Sequence, residues 1–151
     1  MKKILFLGLI AIIIITSCSN DDSQVSSIDS TRRIINETDH HLDIMVYDDV
    51  DTFQFNLAPR STFIVEGTCT ESVFSGTYCN MGWNLSDNAS IVFDNERIQR
   101  FELDENLECS GKAINGSIWS PECGYQTDYN RSSLTSQYRI TQEDYENAEI
   151  L

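Results

Sequence analysis

The sequence predicts an all-β fold: an antiparallel β-sandwich or barrel-like domain with two disulfides and a short C-terminal helix. Three observations carry this. Apolar residues alternate with polar ones at Leu42/Ile44/Val46 and Phe53/Phe55/Leu57, the period of a half-buried strand. Clusters of Asp, Asn, Ser, Gly and Pro interrupt these runs at hairpin spacing. Four cysteines, Cys69, Cys79, Cys109 and Cys123, stand in the body of the chain, an even set that suits a stapled exported domain.

Taken in order, β-prone runs near 32–37 and 42–48 flank the polar turn Thr38-Asp39-His40-His41. The acidic turn Asp48-Asp49-Val50-Asp51 leads into TFQFNLA, which Pro59-Arg60-Ser61 ends before TFIVEG opens the next strand. From Cys69 to Ser90 the pattern dissolves into a Gly-, Ser- and Asn-rich stretch holding Trp83. ASIVFDNERIQRFEL then reads as a hairpin turning at Asp94-Asn95-Glu96. Residues 104–132 read as loop, with Trp119 near the second cysteine pair, and LTSQYRI as a last strand. Trp83 and Trp119 are candidates for an exposed aromatic platform that takes glycan or protein, but a Trp beside a disulfide is expected in the core. Thr141 followed by Asp144 approximates a capping box, so a short helix is expected with Tyr145 and Ala148 turned inward.

The first residues state an address. Lys2 and Lys3 precede the apolar run Ile4 to Ile15, the length of a signal-peptide core and too short to span a bilayer. The following Ile15-Thr16-Ser17-Cys18 resembles the lipobox of bacterial lipoproteins. That resemblance implies a leader over 1–17, cleavage before Cys18, and acyl chains on Cys18 as the membrane anchor; several chains together hold stably where one is marginal. Residues 18–31 are then the lipidated Cys and a flexible polar tether, and 32–151 a single β-rich domain. Ser19-Asn20-Asp21-Asp22 is similar to the acidic stretch that follows the Cys in lipoproteins of the Bacteroidota, which implies an outer-membrane, surface-exposed location. Asp29-Ser30-Thr31 resembles the O-glycan acceptor of that phylum. The body, with IINETDHHLDIMVYDD, SIVFDNERIQRF, CSGKAING and YRITQEDYENA, looks like small uncharacterised lipoproteins of the same group. It implies an exported β domain and transfers no activity.

Cleavage would leave 134 residues with 8 basic against 24 acidic groups, a formal charge of −16. Such a surface repels nucleic acid, so none is expected as a partner, while a cationic partner is allowed. The close pairs Cys69–Cys79 and Cys109–Cys123 are the favoured disulfides among three connectivities, each closing a short loop worth roughly 3 kcal/mol. No C-x-x-C pair exists, and the two histidines, His40 and His41, are adjacent in a turn, where solvated residues are the expectation; no metal or other cofactor is expected. Asp48/Asp49/Asp51 and Asp94/Asn95/Glu96 offer hard oxygen ligands but lack the spacing of a calcium loop, and turn preference explains them. No G-x-S-x-G, H-E-x-x-H or phosphate loop is present, so an enzyme is not expected and no catalytic residue is assigned.

Two function classes follow. One is a non-enzymatic binding or accessory module that shows loops 66–90 and 104–132 to an extracellular protein or glycan. The other is an acidic inhibitor or immunity-type lipoprotein that blocks a cationic cell-wall hydrolase, motivated by charge alone.

Overall fold

The computed structural model describes residues 26–47, 52–72, 76–80, 88–130 and 132–151; for residues 26, 71, 72 and 76–80 it describes the backbone only. Among the described residues ten strands form: β1 (Ser26–Asn36), β2 (Leu42–Tyr47), β3 (Thr52–Leu57), β4 (Thr62–Ser72), β5 (Gly76–Asn80), β6 (Asn88–Phe93), β7 (Arg97–Glu102), β8 (Tyr125–Asn130), β9 (Ser133–Ile140) and β10 (Glu149–Ile150). An α-helix, α1 (Gln142–Asn147), precedes β10, and a 3₁₀ turn spans Pro121–Cys123. The strands make two five-stranded sheets, ordered β5-β4-β1-β9-β8 and β10-β7-β6-β2-β3.

Alternation decides which face of each sheet is buried. Leu42, Ile44 and Val46 of β2 align with Leu57, Phe55 and Phe53 of β3, and with Phe93, Ile91 and Ala89 of β6. All but the half-buried Phe53 are buried, whereas Gln54 and Asn56 are exposed. Val92, between the buried Ile91 and Phe93, is half-buried. Burying side chains of this size stabilises by about 1.5–3 kcal/mol each, which is why the pleat settles in this register. The second sheet adds Ile28 and Ile34 of β1 with Leu134, Tyr138 and Ile140 of β9 to the same core.

The structure differs from expectation in three places. Residues 26–31, expected as tether, form the first half of β1, because this strand inserts between β4 and β9 and pairs with both. Its inward positions Ser30 and Arg32 are polar, which hid the strand from a hydrophobic reading. Ser30 is consequently buried, so the folded chain does not offer it as a glycan acceptor. The β1–β9 pairing is parallel, whereas the other pairs among the described residues are antiparallel. Finally, β4 runs on through Cys69 to Ser72 and pairs with β5, and β8 emerges from the expected 104–132 loop.

At the other end of β1 the buried Asn36 ties three segments together. Its amide donates to the carbonyls of His40 and Ala58, and its oxygen accepts from the backbone N–H and the hydroxyl of Thr38. The β6–β7 turn places Asp94 and Asn95 at left-handed φ of 48° and 59°, the conformation that tight hairpins favour and that short Asp and Asn side chains tolerate. Helix α1 forms as expected: Thr141 and Asp144 make a reciprocal capping box, Ala148 is buried, and Tyr145 packs against the core.

Candidate functional site

The segment between β7 and β8 has no regular strand, yet it is held firmly. The Asp104 carboxylate accepts from the N–H groups of Asn106 and Glu108, fixing a turn in which Leu107 adopts a left-handed φ of 59°. Cys109 and Cys123 are joined by a disulfide, with Cα atoms 5.3 Å apart. The chain between them folds around its own sulfurs: a Cβ on Gly116 would sit 2.2 Å from Cys109 Sγ and 2.5 Å from Cys123 Sγ. Only glycine permits that approach. Ala113, Ile114, Asn115 and Ile118 are buried beneath. The segment is docked to β8 by two hydroxyls, Tyr125 donating to the Ile114 carbonyl at 2.7 Å and Thr127 to that of Ile118.

This packing turns Trp119 outward. Ile118 takes the inward place, while the N–H of Trp119 donates to Ser117 Oγ in a tight turn. Trp119 is 43% exposed and meets the 45% exposed Tyr129 of β8 edge to face, ring centres 6.1 Å apart. The expectation of a core Trp119 is therefore overturned: Ile114, Ile118 and Cys123 of this region are buried and Trp119 is not. The signal was in the sequence: Ser117 on one side and Ser120-Pro121 on the other mark a turn tip. Two shallow clefts flank the disulfide. One of about 280 Å³ is lined by Glu108 and Glu122, the other of about 480 Å³ by Glu102, Asp104 and Glu108.

Behind this surface the inner face of the sheet is partly polar. Arg32 lies buried with its guanidinium 5.8 Å from the Tyr125 ring centre, and desolvation holds its pKa below the usual arginine value. Burial pushes the Tyr125 hydroxyl up to about 12 and that of Tyr138 well above its ordinary value. The hydroxyls of Ser30 and Ser136 are buried without a hydrogen-bond partner among the described residues.

The remaining predicted site residues separate as follows. Cys18, Asp48, Asp49, Asp51 and Trp83 lie outside the described residues. Cys69 is fully buried on β4 and stands directly opposite Cys79 of β5, whose side chain is also outside them. His40 departs from the solvated turn residue expected. Its Nδ1 lies 2.7 Å from Asp94, and its ring stacks on Tyr145 at 3.7 Å, with Arg97 5.0 Å from the same tyrosine ring. The His40 hydrogen bond, helped by the N–H of His41, holds the Asp94 carboxyl below its usual pKa. This cluster pins the β1–β2 turn, the β6–β7 hairpin and α1 to one another. Among the described residues no three His, Cys, Asp or Glu side chains converge as a metal site, and no helix is long and apolar enough to cross a membrane. No family model, curated protein or solved structure matches the chain.

Proposed function

We propose that this protein is an outer-membrane lipoprotein anchored through Cys18, exposed at the cell surface, and acting as a non-enzymatic binding or accessory module. The observation that carries the binding role is the Trp119–Tyr129 edge, two large exposed rings, one on β8 and the other on a segment that a disulfide, an Asp104-capped turn and two docking hydroxyls hold against β8. Rigid aromatic side chains supply contact area at low entropic cost, the usual basis of binding surfaces. The address is supported by the charged and apolar leader over 1–17 and the Cys18 that follows it, and by these alone. We read the two sheets as the layers of a sandwich, an arrangement supported by Phe55 of β3 stacking on Phe63 of β4 at 4.2 Å across them. A second disulfide between Cys69 and Cys79 fits their directly opposed positions on neighbouring strands.

A photo-crosslinking residue at position 119, in the full-length protein on intact cells, should capture a partner. The same residue at the exposed position 54, on the outer face of the other sheet, should capture none. Equal labelling at both positions would show that the aromatic edge is not a specific surface.

The second reading, an acidic blocker of a cationic hydrolase, is favoured by the carboxylates of Glu102, Asp104, Glu108 and Glu122 around the disulfide. It predicts binding to a basic enzyme that weakens steeply with salt. Salt-independent binding, or none, removes it.

A further inference from the structure

We propose that the Trp119–Tyr129 edge docks the domain onto the lipid surface that holds its Cys18 anchor. The proposal rests on the lipoprotein reading above and names the partner of that same surface.

The strand register carries the first step. Ser30 of β1 stands opposite Leu134 of β9, and Leu134 opposite Tyr129 of β8. Tyr129 therefore lies toward the end of the sheet at which β1 begins, and Trp119, in ring contact with it, lies there too. The length of chain before β1 carries the second. Eight residues lead from Cys18 to Ser26. A chain of that length reaches at most about 28 Å. The start of β1 is thus held within about 28 Å of the headgroups. Tyr129 is level with Ser30, four strand residues or about 13 Å further along. Because β8 is an edge strand of its sheet, a tilt of the domain onto that edge brings both rings to the bilayer.

The chemistry carries the third step. Trp and Tyr each join an apolar ring to one polar tip, the combination that settles at the boundary between headgroups and acyl chains. A formal charge of −16 on the cleaved chain rules out docking through anionic headgroups, which would repel it. The contact is therefore made by burying the rings in a zwitterionic surface, and salt should not weaken it. With the acyl chains already holding the protein, the second contact is intramolecular in effect, so even a weak ring contact is well populated.

The test uses the full-length lipidated protein in phosphatidylcholine vesicles, in wild-type form and as Trp119→Phe. The difference in emission between them isolates Trp119 from Trp83. Replacing the lipid by its brominated counterpart should quench the Trp119 component, acrylamide in the water should quench it poorly, and Tyr129→Ala should lessen the bromolipid effect. A Trp119 component indifferent to bromolipid and open to acrylamide, in protein that still floats with the vesicles, overturns the docking. It would leave the anchor standing and assign the edge to a soluble protein or glycan. Protein that fails to float, with no lipid on Cys18, overturns the docking together with the lipoprotein reading on which it rests.

Discussion

Replacing Gly116 by alanine inserts one methyl group where two sulfurs already are. The new Cβ would lie 2.2 Å and 2.5 Å from the two Sγ atoms and 2.8 Å from Cys123 Cβ. None of these is the loose end of a flexible side chain, since the bond between the sulfurs locks all three atoms. Overpacking of this kind costs about 1–3 kcal/mol if the bond survives. If it breaks, the chain-entropy model adds about 3 kcal/mol for a loop of this length. For a domain of this size each kcal/mol lowers the melting temperature by roughly 4 °C, so a drop of about 4–12 °C is expected with the disulfide intact. Gly111→Ala is the control, because its added Cβ meets nothing within 4 Å. Thermal melts followed by circular dichroism, with a free-thiol titration on each variant, provide the assay. A Gly116→Ala protein that melts with wild type and titrates no extra thiols would refute the packing described for the stapled segment.

Four further predictions concern the core and its titration. Phe55→Asp, at a buried position stacked on Phe63, should abolish cooperative unfolding, whereas Gln54→Asp next to it should be nearly silent; equal melts would remove β3 from the core. Ser136→Ala, which deletes a buried hydroxyl without a partner among the described residues, should leave the melting temperature unchanged or raise it, and a marked fall would reveal a hidden hydrogen bond. Because burial raises the Tyr125 pKa to about 12, the stability it contributes is complete below its unfolded value near 10 and is lost as pH climbs between the two. Ultraviolet titration should therefore find Tyr125 and Tyr138 ionising late and only with unfolding, and early ionisation of all tyrosines would contradict their burial. Asp94 has a lowered pKa, so its contribution is present above about pH 4 and disappears as pH falls through the folded value. Asp94→Asn should flatten the acid limb of the stability curve, and an unchanged limb would detach the His40 contact from stability.

Much of the fold was legible because its inward residues are apolar. Strands β2, β3 and β6 announce themselves through Leu42/Ile44/Val46, Phe53/Phe55/Leu57 and Ile91/Phe93, and α1 through Thr141 and Asp144. What stayed hidden has polar or aromatic residues facing in. The first half of β1 turns Ser30 and Arg32 inward, and β8 turns Tyr125 and Thr127 inward to bond the carbonyls of the stapled segment. A period-two count of hydrophobicity passes over both. The parallel β1–β9 pair joins residues more than a hundred positions apart, and no local pattern encodes it. Nearness to a disulfide points Trp119 to the core, whereas the core is filled there by the smaller Ile114, Ile118 and Cys123. The sequence shows His40 as a bare turn residue because its partners, Asp94 and Tyr145, are distant along the chain.

The address and the membrane docking proposed for this domain both begin at Cys18. Intact-mass analysis of the protein isolated from the membrane of its own cells is the most direct measurement, with Cys18→Ser alongside. The expected species begins at Cys18 and carries acyl chains, and the Cys18→Ser protein is unlipidated and released or unprocessed. A wild-type chain beginning at Met1, or one whose Cys18 is unmodified, would contradict the lipoprotein account.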